Sequence, residues 1–409
     1  MKRKIVFVIN YFYPDYASTG QLLTELCLEL QHNFDITVIA VQPEAKMNKT
    51  QKWFEEDHLE QIRIIRVRNF SVDKTNKWSR IKFILSYFFL SLVALMKEKR
   101  VYMVYTISSP PILGGAIGTI GKIFKRTKHV YNIQDFNPEQ AQAVNYSNKQ
   151  WIYKAAKYVD NLSCKMADHV ITVGQDMQQT LLNRFTGKMV PRNSVINNWT
   201  NEKEIVPYSK DHPIVNEFLH KHNLNDKFII MYSGNLGLYY DLENIIKVTA
   251  EFKGSPDIAF VFIGDGASKN IMQQFVKENN ITNVHFLPFL PKEFIKYSLN
   301  AADVHLVVNQ RGIKGVSVPS KIYGVMASGK PILGVLERGS EAHRLIMESK
   351  SGVVVEPQDY KGIVREINVF RQLDNRQLEE MGLNGRQYLE QYLRKEASIQ
   401  KYRQLLESV

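Results

Sequence analysis

Apolar and polar positions alternate along this chain in two rhythms. Short runs that are apolar almost throughout recur at KIVFVIN (4–10), FDITVIAV (34–41), IRIIRV (62–67), VYMVYTI (101–107), KHVYNI (128–133), HVITVG (169–174) and NSVIN (193–197). Helix-length segments separate most of them. Such runs predict strands buried on both sides, and their alternation with helices predicts a parallel sheet covered on its two faces. A polar stretch, NNWTNEKEIVPYSKDHPIV (197–215), interrupts the alternation. Past it the pattern restarts with FIIMYSG (228–234), IAFVFIG (258–264), NVHFLPF (283–289), DVHLVV (303–308), PILGV (331–335) and GVVVE (352–356). The expected class is α/β, with two doubly wound Rossmann-like domains at 1–200 and 215–385 and a closing helical segment at 386–409. On that segment Leu389, Tyr392 and Leu393 share one face, and it is expected to pack back on the first domain. Domains of this kind bind ligands beyond the carboxyl ends of their strands, so a cleft between the two is the expected binding place.

The length of 409 residues suits two cores, and 44% apolar with 23% charged residues is a globular composition. The formal net charge of +12 favours anionic partners, although a diffuse lysine excess also occurs without one. Only Cys27 and Cys164 are present, both in helical patterns, which argues against a disulfide framework and a zinc site. The opening MKRKIVFVIN reads as a buried first strand rather than a signal peptide. FILSYFFLSLVALM (83–96) carries no charge and is flanked by Arg80, Lys82, Lys97, Lys99 and Arg100. It falls short of the about 20 apolar residues that a spanning helix needs. Two readings stay open for it, a buried core helix or a helix resting on a bilayer.

Candidate chemistry sits in the loops that follow strands. In YFYPDYASTG (11–20), Ser18, Thr19 and the Gly20 amide lead into a predicted helix, a place that suits a phosphate or an ordinary cap. In YSGNLGLYYDLENII (232–246), Gly234, Asn235 and Gly237 form a turn that lets backbone approach a phosphate, without the GxGxxG spacing of a dinucleotide site. Gly264 and Gly266 bracket Asp265 in FIGDGASKN (262–270). In VPSKIYGVMASGKP (318–331), Pro319 opens a helix, Ser320 is placed to cap it, and Lys321 falls in its first turn. The helix dipole disfavours a cation there, which points to an anion beside it. NIQDFNPEQA (132–141) ends a strand with Asp135, a carboxylate able to orient a hydroxyl or to cap a turn.

Taken in order, YPDYASTG, SSPPILGGAIG, QDFNPE, ADHVITVGQDM, VINNWTN, YSGNLG, FIGDG and PSKIYGVMASGKPI resemble family 4 of the retaining glycosyltransferases, and they cover nearly the whole chain. The INNWTN and YSGNLG forms look most like the bacterial capsule, colanic-acid and O-antigen branch, which includes fucosamine transferases. The resemblance implies the GT-B fold, a UDP-sugar donor bound mainly by the second domain, and a lipid-diphosphate-linked saccharide acceptor on the first. It also implies retention of anomeric configuration, no required metal, no nucleic-acid partner, and a cytoplasmic place at the inner face of the membrane. By position, Gly20 would approach the donor phosphates, and Gly234, Asn235 and Gly237 would line the diphosphate site. Gly264 and Gly266 would lie near the nucleoside, and Leu287 and Phe289 near the base. Ser317, Pro319 and Ser320 would flank the donor. Lys321 would neutralise the leaving diphosphate, and Asp135 would serve the acceptor.

The chain departs from the family's pattern in two places. Relatives carry a Glu, seven residues, then a second Glu that holds ribose, where this chain has Val316 and Gly324. The basic pair of the second domain's first glycine loop is also missing, with Asn235 and Tyr240 near those positions. The diphosphate charge then falls on Lys321, with Arg311 or Lys314 as helpers. Two rivals follow from the same residues. A UDP-sugar 2-epimerase of similar shape would need acid and base residues flanking the sugar, and no such set is found. A non-catalytic glycosyltransferase-like subunit draws support from the missing carboxylates.

Overall fold

The computed structural model describes residues 2–15, 18–43, 52–69, 77–144 and 149–409. Tyr16 and Ala17 of the first loop lie outside the described residues, as do the side chains of Ser18, Lys77 and Arg80. The chain divides into two compact units, Met1–Asn197 with Ile399–Val409, and Asn198–Ser398.

The first unit holds eight strands: β1 (Lys4–Val8), β2 (Asp35–Val41), β3 (Phe54–Leu59), β4 (Ile62–Val67), β5 (Met103–Ile107), β6 (Lys128–Ile133), β7 (His169–Thr172) and β8 (Asn193–Val195). They pair in the order β3-β4-β2-β1-β5-β6-β7-β8, parallel throughout except for β3, which pairs antiparallel with β4. Six described helices accompany them: α1 (Ser18–Leu30), α2 (Lys77–Lys97), α3 (Leu113–Lys125), α4 (Asn137–Ala143), α5 (Gln150–Met166) and α6 (Gln175–Arg184). The central strands are apolar because both of their faces are covered. Ile5, Val6, Phe7 and Val8 have at most 1% of their surface exposed, and Phe7 packs on Tyr105 with ring centroids 4.6 Å apart. Burying side chains of this size stabilises the fold by about 1.5–3 kcal/mol each.

β3 is the strand that the apolar pattern did not predict. FEEDHL is polar because it lies at the sheet edge and alternates half-buried with exposed positions. Charge holds it there: Arg63 and Arg66 of β4 pair with Glu56 and Asp57 of β3.

The second unit holds β9 (Phe228–Ser233), β10 (Ile258–Ile263), β11 (Val284–Leu287), β12 (Val304–Val308), β13 (Ile332–Val335) and β14 (Gly352–Val355). Their order is β11-β10-β9-β12-β13-β14, all parallel. This is the doubly wound Rossmann order, in which the winding direction reverses between β9 and β12. In the first sheet the same reversal falls between β1 and β5. Loops part at these two places, and ligands bind there in sheets of this type.

The end of the chain divides later than at the expected residue 386. Leu389 and Leu393 are buried with Ile322, Val325 and Met326 in a core of the second unit. Arg386 donates to the carbonyls of Glu202, Ile205 and Ala327 in that same unit. Only from Ile399 does the chain count with the first unit, inside the helix Lys395–Ser408. There Tyr402 and Leu406 are buried, and the Tyr402 hydroxyl accepts from Asn132 Nδ2 at 2.8 Å.

Candidate functional site

At the first sheet's switch point the loops after β1, β5 and β6 surround a cavity of about 200 Å³. Its lining includes Asn10, Gly20, Ser108, Gln134, Asp135 and Asn137. Ser108, which ends β5's apolar run, organises the floor. Its Oγ accepts from the backbone N–H groups of Gln134 at 3.0 Å and Asp135 at 3.1 Å, and its carbonyl accepts from Asn137 Nδ2 at 2.6 Å. These bonds fix the backbone from which the half-buried Asp135 side chain projects, and Gln140 Nε2 reaches its Oδ1 at 3.5 Å. The helix that follows is anchored from below. Arg184 pairs with Glu139 of α4 and with Asp160 of α5, and its guanidinium lies 4.2 Å from the Phe136 ring centroid. Gly20 sits inside the first turn of α1 rather than ahead of it. A Cβ there would approach the Tyr11 carbonyl oxygen to 2.9 Å, so the helix can start this close to the loop only with glycine.

At the second sheet's switch point the glycine loops interlock. Gly234 N donates to Ile263 O, Leu236 N to Asp265 O, and Gly264 N to Leu287 O, each at 2.9 Å. Gly234 and Gly264 both hold φ near +140°, a region that side chains rarely enter. A Cβ at Gly264 would fall 2.0 Å from the Gly234 carbonyl oxygen, so the two loops cross backbone on backbone. Gly266 crowds Leu236 and Asn235 in the same way, and Gly237 lies against the Asn235 side chain. Leu287 is buried at the end of β11, while Phe289 is 59% exposed and reaches within 3.4 Å of the Cβ position of Gly264.

Lys321 begins the short helix Lys321–Ala327 and reaches these loops. Its Nζ donates to the Tyr232 hydroxyl at 2.6 Å and lies 3.9 Å from the Tyr232 ring centroid and 4.2 Å from that of Tyr240. Its Cε is 3.4 Å from the Cβ position of Gly234. Among the described residues no carboxylate pairs with it. Burial pushes its ammonium down to about 7, and two aromatic faces supply only part of the lost hydration. The Tyr232 phenol is driven up by its own burial and donates its proton to Asn235 O at 2.7 Å, which leaves a lone pair for Lys321. The result is a desolvated cation beside open backbone loops, an arrangement that an anion completes.

The other residues expected near Lys321 make local contacts. Ser320 makes no side-chain cap; its backbone is already helical, and the Pro319 carbonyl accepts from Ile322 N. Ser317 donates its N–H to Ile313 O in the preceding turn. Arg311 and Lys314 donate to the carbonyls of Pro357 and Arg338. Val316 is buried. Tyr232, Tyr240 and Ser108 were not singled out by sequence reasoning. Only Tyr240 carried a signal, as the residue standing near a missing basic position. Among the described residues no cluster of three or more His, Cys, Asp or Glu could hold a metal ion.

Known proteins resemble this chain in sequence and in fold. Residues 215–388 match the family described as glycosyl transferases group 1. The chain is 30% identical to "Probable glycosyltransferase WbjE" of Pseudomonas aeruginosa over 277 residues, 67% of each chain. It is 30% identical over 145 residues, 35% of each chain, to WcaI of Escherichia coli K12, which is named for colanic acid biosynthesis. Among solved structures, HepE of Anabaena in complex with UDP and glucose aligns over 100% of both chains with a TM-score of 0.74 at 14% identity. The doubly wound sheets with their paired glycine loops are thus those of the GT-B fold, and the chain belongs to the group 1 glycosyl transferases.

Proposed function

We propose that this glycosyltransferase moves a sugar from a UDP-linked donor to a lipid-diphosphate-linked saccharide in bacterial surface polysaccharide synthesis, with retention of configuration. One observation carries the donor half of this reading. Among the described residues Lys321 is a cation without a carboxylate partner, held by Tyr232 and Tyr240 at the crossing of the Gly234 and Gly264 loops. A diphosphate seated on those loops supplies the missing anion. The UDP complexes of HepE support the nucleotide, and the naming of WcaI supports the polysaccharide. The resemblance of INNWTN and YSGNLG supports an N-acetylated hexosamine or deoxyhexosamine as the sugar.

In this mechanism the acceptor hydroxyl attacks the anomeric carbon on the face that the diphosphate leaves. The new C–O bond forms as the old one breaks, and the departing diphosphate oxygen takes the hydroxyl's proton. Lys321 holds the charge that develops on that oxygen, so the reading calls for no metal. Asp135 orients the acceptor hydroxyl. The protein works in the cytoplasm, at the inner face of the membrane that holds its acceptor.

Thermal shifts with UDP-, GDP- and dTDP-sugars test the donor, because a ligand that binds only the folded state raises its stability with the logarithm of concentration. The largest rise is expected with a UDP-N-acetyl sugar, and it should shrink in Lys321→Ala. No rise with any nucleotide sugar, or equal rises in both proteins, would overturn the donor assignment. The NMR coupling constant of the product's anomeric proton then reports retention or inversion.

A further inference from the structure

Helices that cover a sheet normally turn a polar face to water. Among the described residues α2 does not. Its inward side buries Phe83, Tyr87, Ala94 and Leu95, and its outward side exposes Ile81, Leu85, Phe89 and Val93 at helical spacing. Phe89 alone keeps 60% of its surface exposed. The neighbours continue the pattern. α3 packs beside both α2 and α5. It exposes Phe124 at 74%, and α5 exposes a stripe of Trp151, Tyr158 and Leu162. Hydrogen bonds tie the three helix ends together, from Lys125 Nζ to Met96 O and from Lys122 Nζ to Met166 O. An apolar patch of this breadth marks an interaction surface.

The charges around the patch select its partner. α2, α3 and α5 contain one carboxylate between them, Asp160, which is 3% exposed and paired with Arg184. Among the described residues, the exposed charges on these helices and within three residues of their ends are Lys82, Lys97, Lys99, Arg100, Arg126, Lys128, Lys149, Lys154 and Lys165, all basic. On α5, Lys154 and Lys165 interleave with the aromatic stripe. A second copy of the chain meeting this face symmetrically would set basic rim against basic rim. Aromatic and aliphatic side chains ringed by lysine and arginine instead match the headgroup boundary of an anionic bilayer. Among the described residues no helix is long and apolar enough to cross a membrane, so the contact is one of lying on the surface.

We propose that the outward faces of α2, α3 and α5 together form a docking surface for an anionic phospholipid bilayer. This extends the contact well beyond residues 83–96, and it holds whatever the donor and acceptor are.

Cosedimentation of the full chain with phosphatidylglycerol–phosphatidylcholine vesicles tests it without any turnover. The wild type is expected to bind these vesicles at least about tenfold more tightly than pure phosphatidylcholine. Leu85→Glu with Phe89→Glu should weaken binding by about tenfold or more. Lys154→Glu with Lys165→Glu, on a different helix, should weaken it by about tenfold and reduce its dependence on the anionic lipid. Both variants should keep the wild-type melting temperature, since all four side chains are exposed. Three results would overturn the proposal: no vesicle binding by the wild type, binding unchanged in both variants, or a wild-type dimer in sedimentation velocity that Leu85→Glu with Phe89→Glu dissociates. A protein that binds vesicles yet shows no thermal shift with nucleotide sugars would leave the docking surface standing and remove the donor assignment.

Discussion

At the first sheet's switch point the polar lining of the described cavity consists of the amides of Asn10, Gln134 and Asn137 and the hydroxyl residues Tyr11, Thr19, Ser108 and Ser109 around one carboxylate, Asp135. At the second sheet's switch point two lysines reach the crossed glycine loops: Lys269 Nζ donates to Gly264 O and lies 3.9 Å from Asp265, whereas among the described residues no carboxylate pairs with Lys321. Both places arise from the same winding reversal, and both put loops at the carboxyl ends of buried strands. What differs is how polar groups are satisfied. In the first unit Ser108 and Asn137 already bond the local backbone, so the pocket is a finished hydrogen-bonding surface suited to neutral hydroxyls. In the second, Lys321 is desolvated and among the described residues no carboxylate pairs with it, an arrangement that suits an anion. On the proposed reading, the same scaffold serves a neutral acceptor hydroxyl and an anionic donor through the state of a few side chains.

The largest effect that sharpens this contrast is expected from Lys321→Ala. Losing the lysine proposed to meet the leaving group should lower turnover by about 10²–10³-fold. Its melting temperature should stay at or above that of the wild type, because a desolvated charge is removed. Turnover within a few fold of wild type would break the contrast at its donor end. Asp135→Asn should lower turnover by about 10–100-fold while leaving the nucleotide-sugar thermal shift unchanged. A lost thermal shift in that variant would mean that the carboxylate serves the donor too.

A smaller effect comes from pH. The free Lys321 ammonium is held near 7 by burial, and a bound diphosphate raises it. Between those two values the complex holds more protons than the free protein, so binding takes up a proton there. Affinity for a nucleotide sugar should be level below about pH 7. It should fall by up to about tenfold per unit as pH rises through the window, until the pKa of the complex is passed. Calorimetry in buffers of different ionisation enthalpy reads the proton uptake directly. Lys321→Met should abolish it; uptake that survives belongs to another group.

The strands were legible because burial on both faces leaves an unbroken apolar run, as in IAFVFI of β10. β3 was not, because an edge strand held by arginine–carboxylate pairs is written in charges. The glycine loops were legible as loops, since only glycine tolerates the crossing of Gly234 and Gly264. The clasp on Lys321 was not. Tyr232 looks like any core residue of a buried strand, and only the fold shows its hydroxyl between Lys321 and Asn235. The limit of the second unit at Ser398 was hidden for a related reason. Leu389 and Leu393 signal an apolar face, but a face does not say which core it enters.

Gly324 offers the smallest effect and the finest test. By the family resemblance it stands where a ribose-binding glutamate is expected, inside the helix that Lys321 begins. Its φ is not positive, and a Cβ there would make only an ordinary 3.5 Å contact with Leu299 Cδ1. Nothing in the free protein therefore requires glycine. Gly324→Ala should stabilise the fold by about 0.5–1 kcal/mol through the lower entropy of the unfolded chain, seen as a higher melting temperature. If the position is an empty remnant, donor binding should not change. If the bare backbone lets ribose approach the helix, the same methyl should weaken the nucleotide-sugar thermal shift while the free protein melts higher. Opposite movements of the two quantities would assign Gly324 to the donor site, and a higher melting temperature with an unchanged thermal shift would remove it.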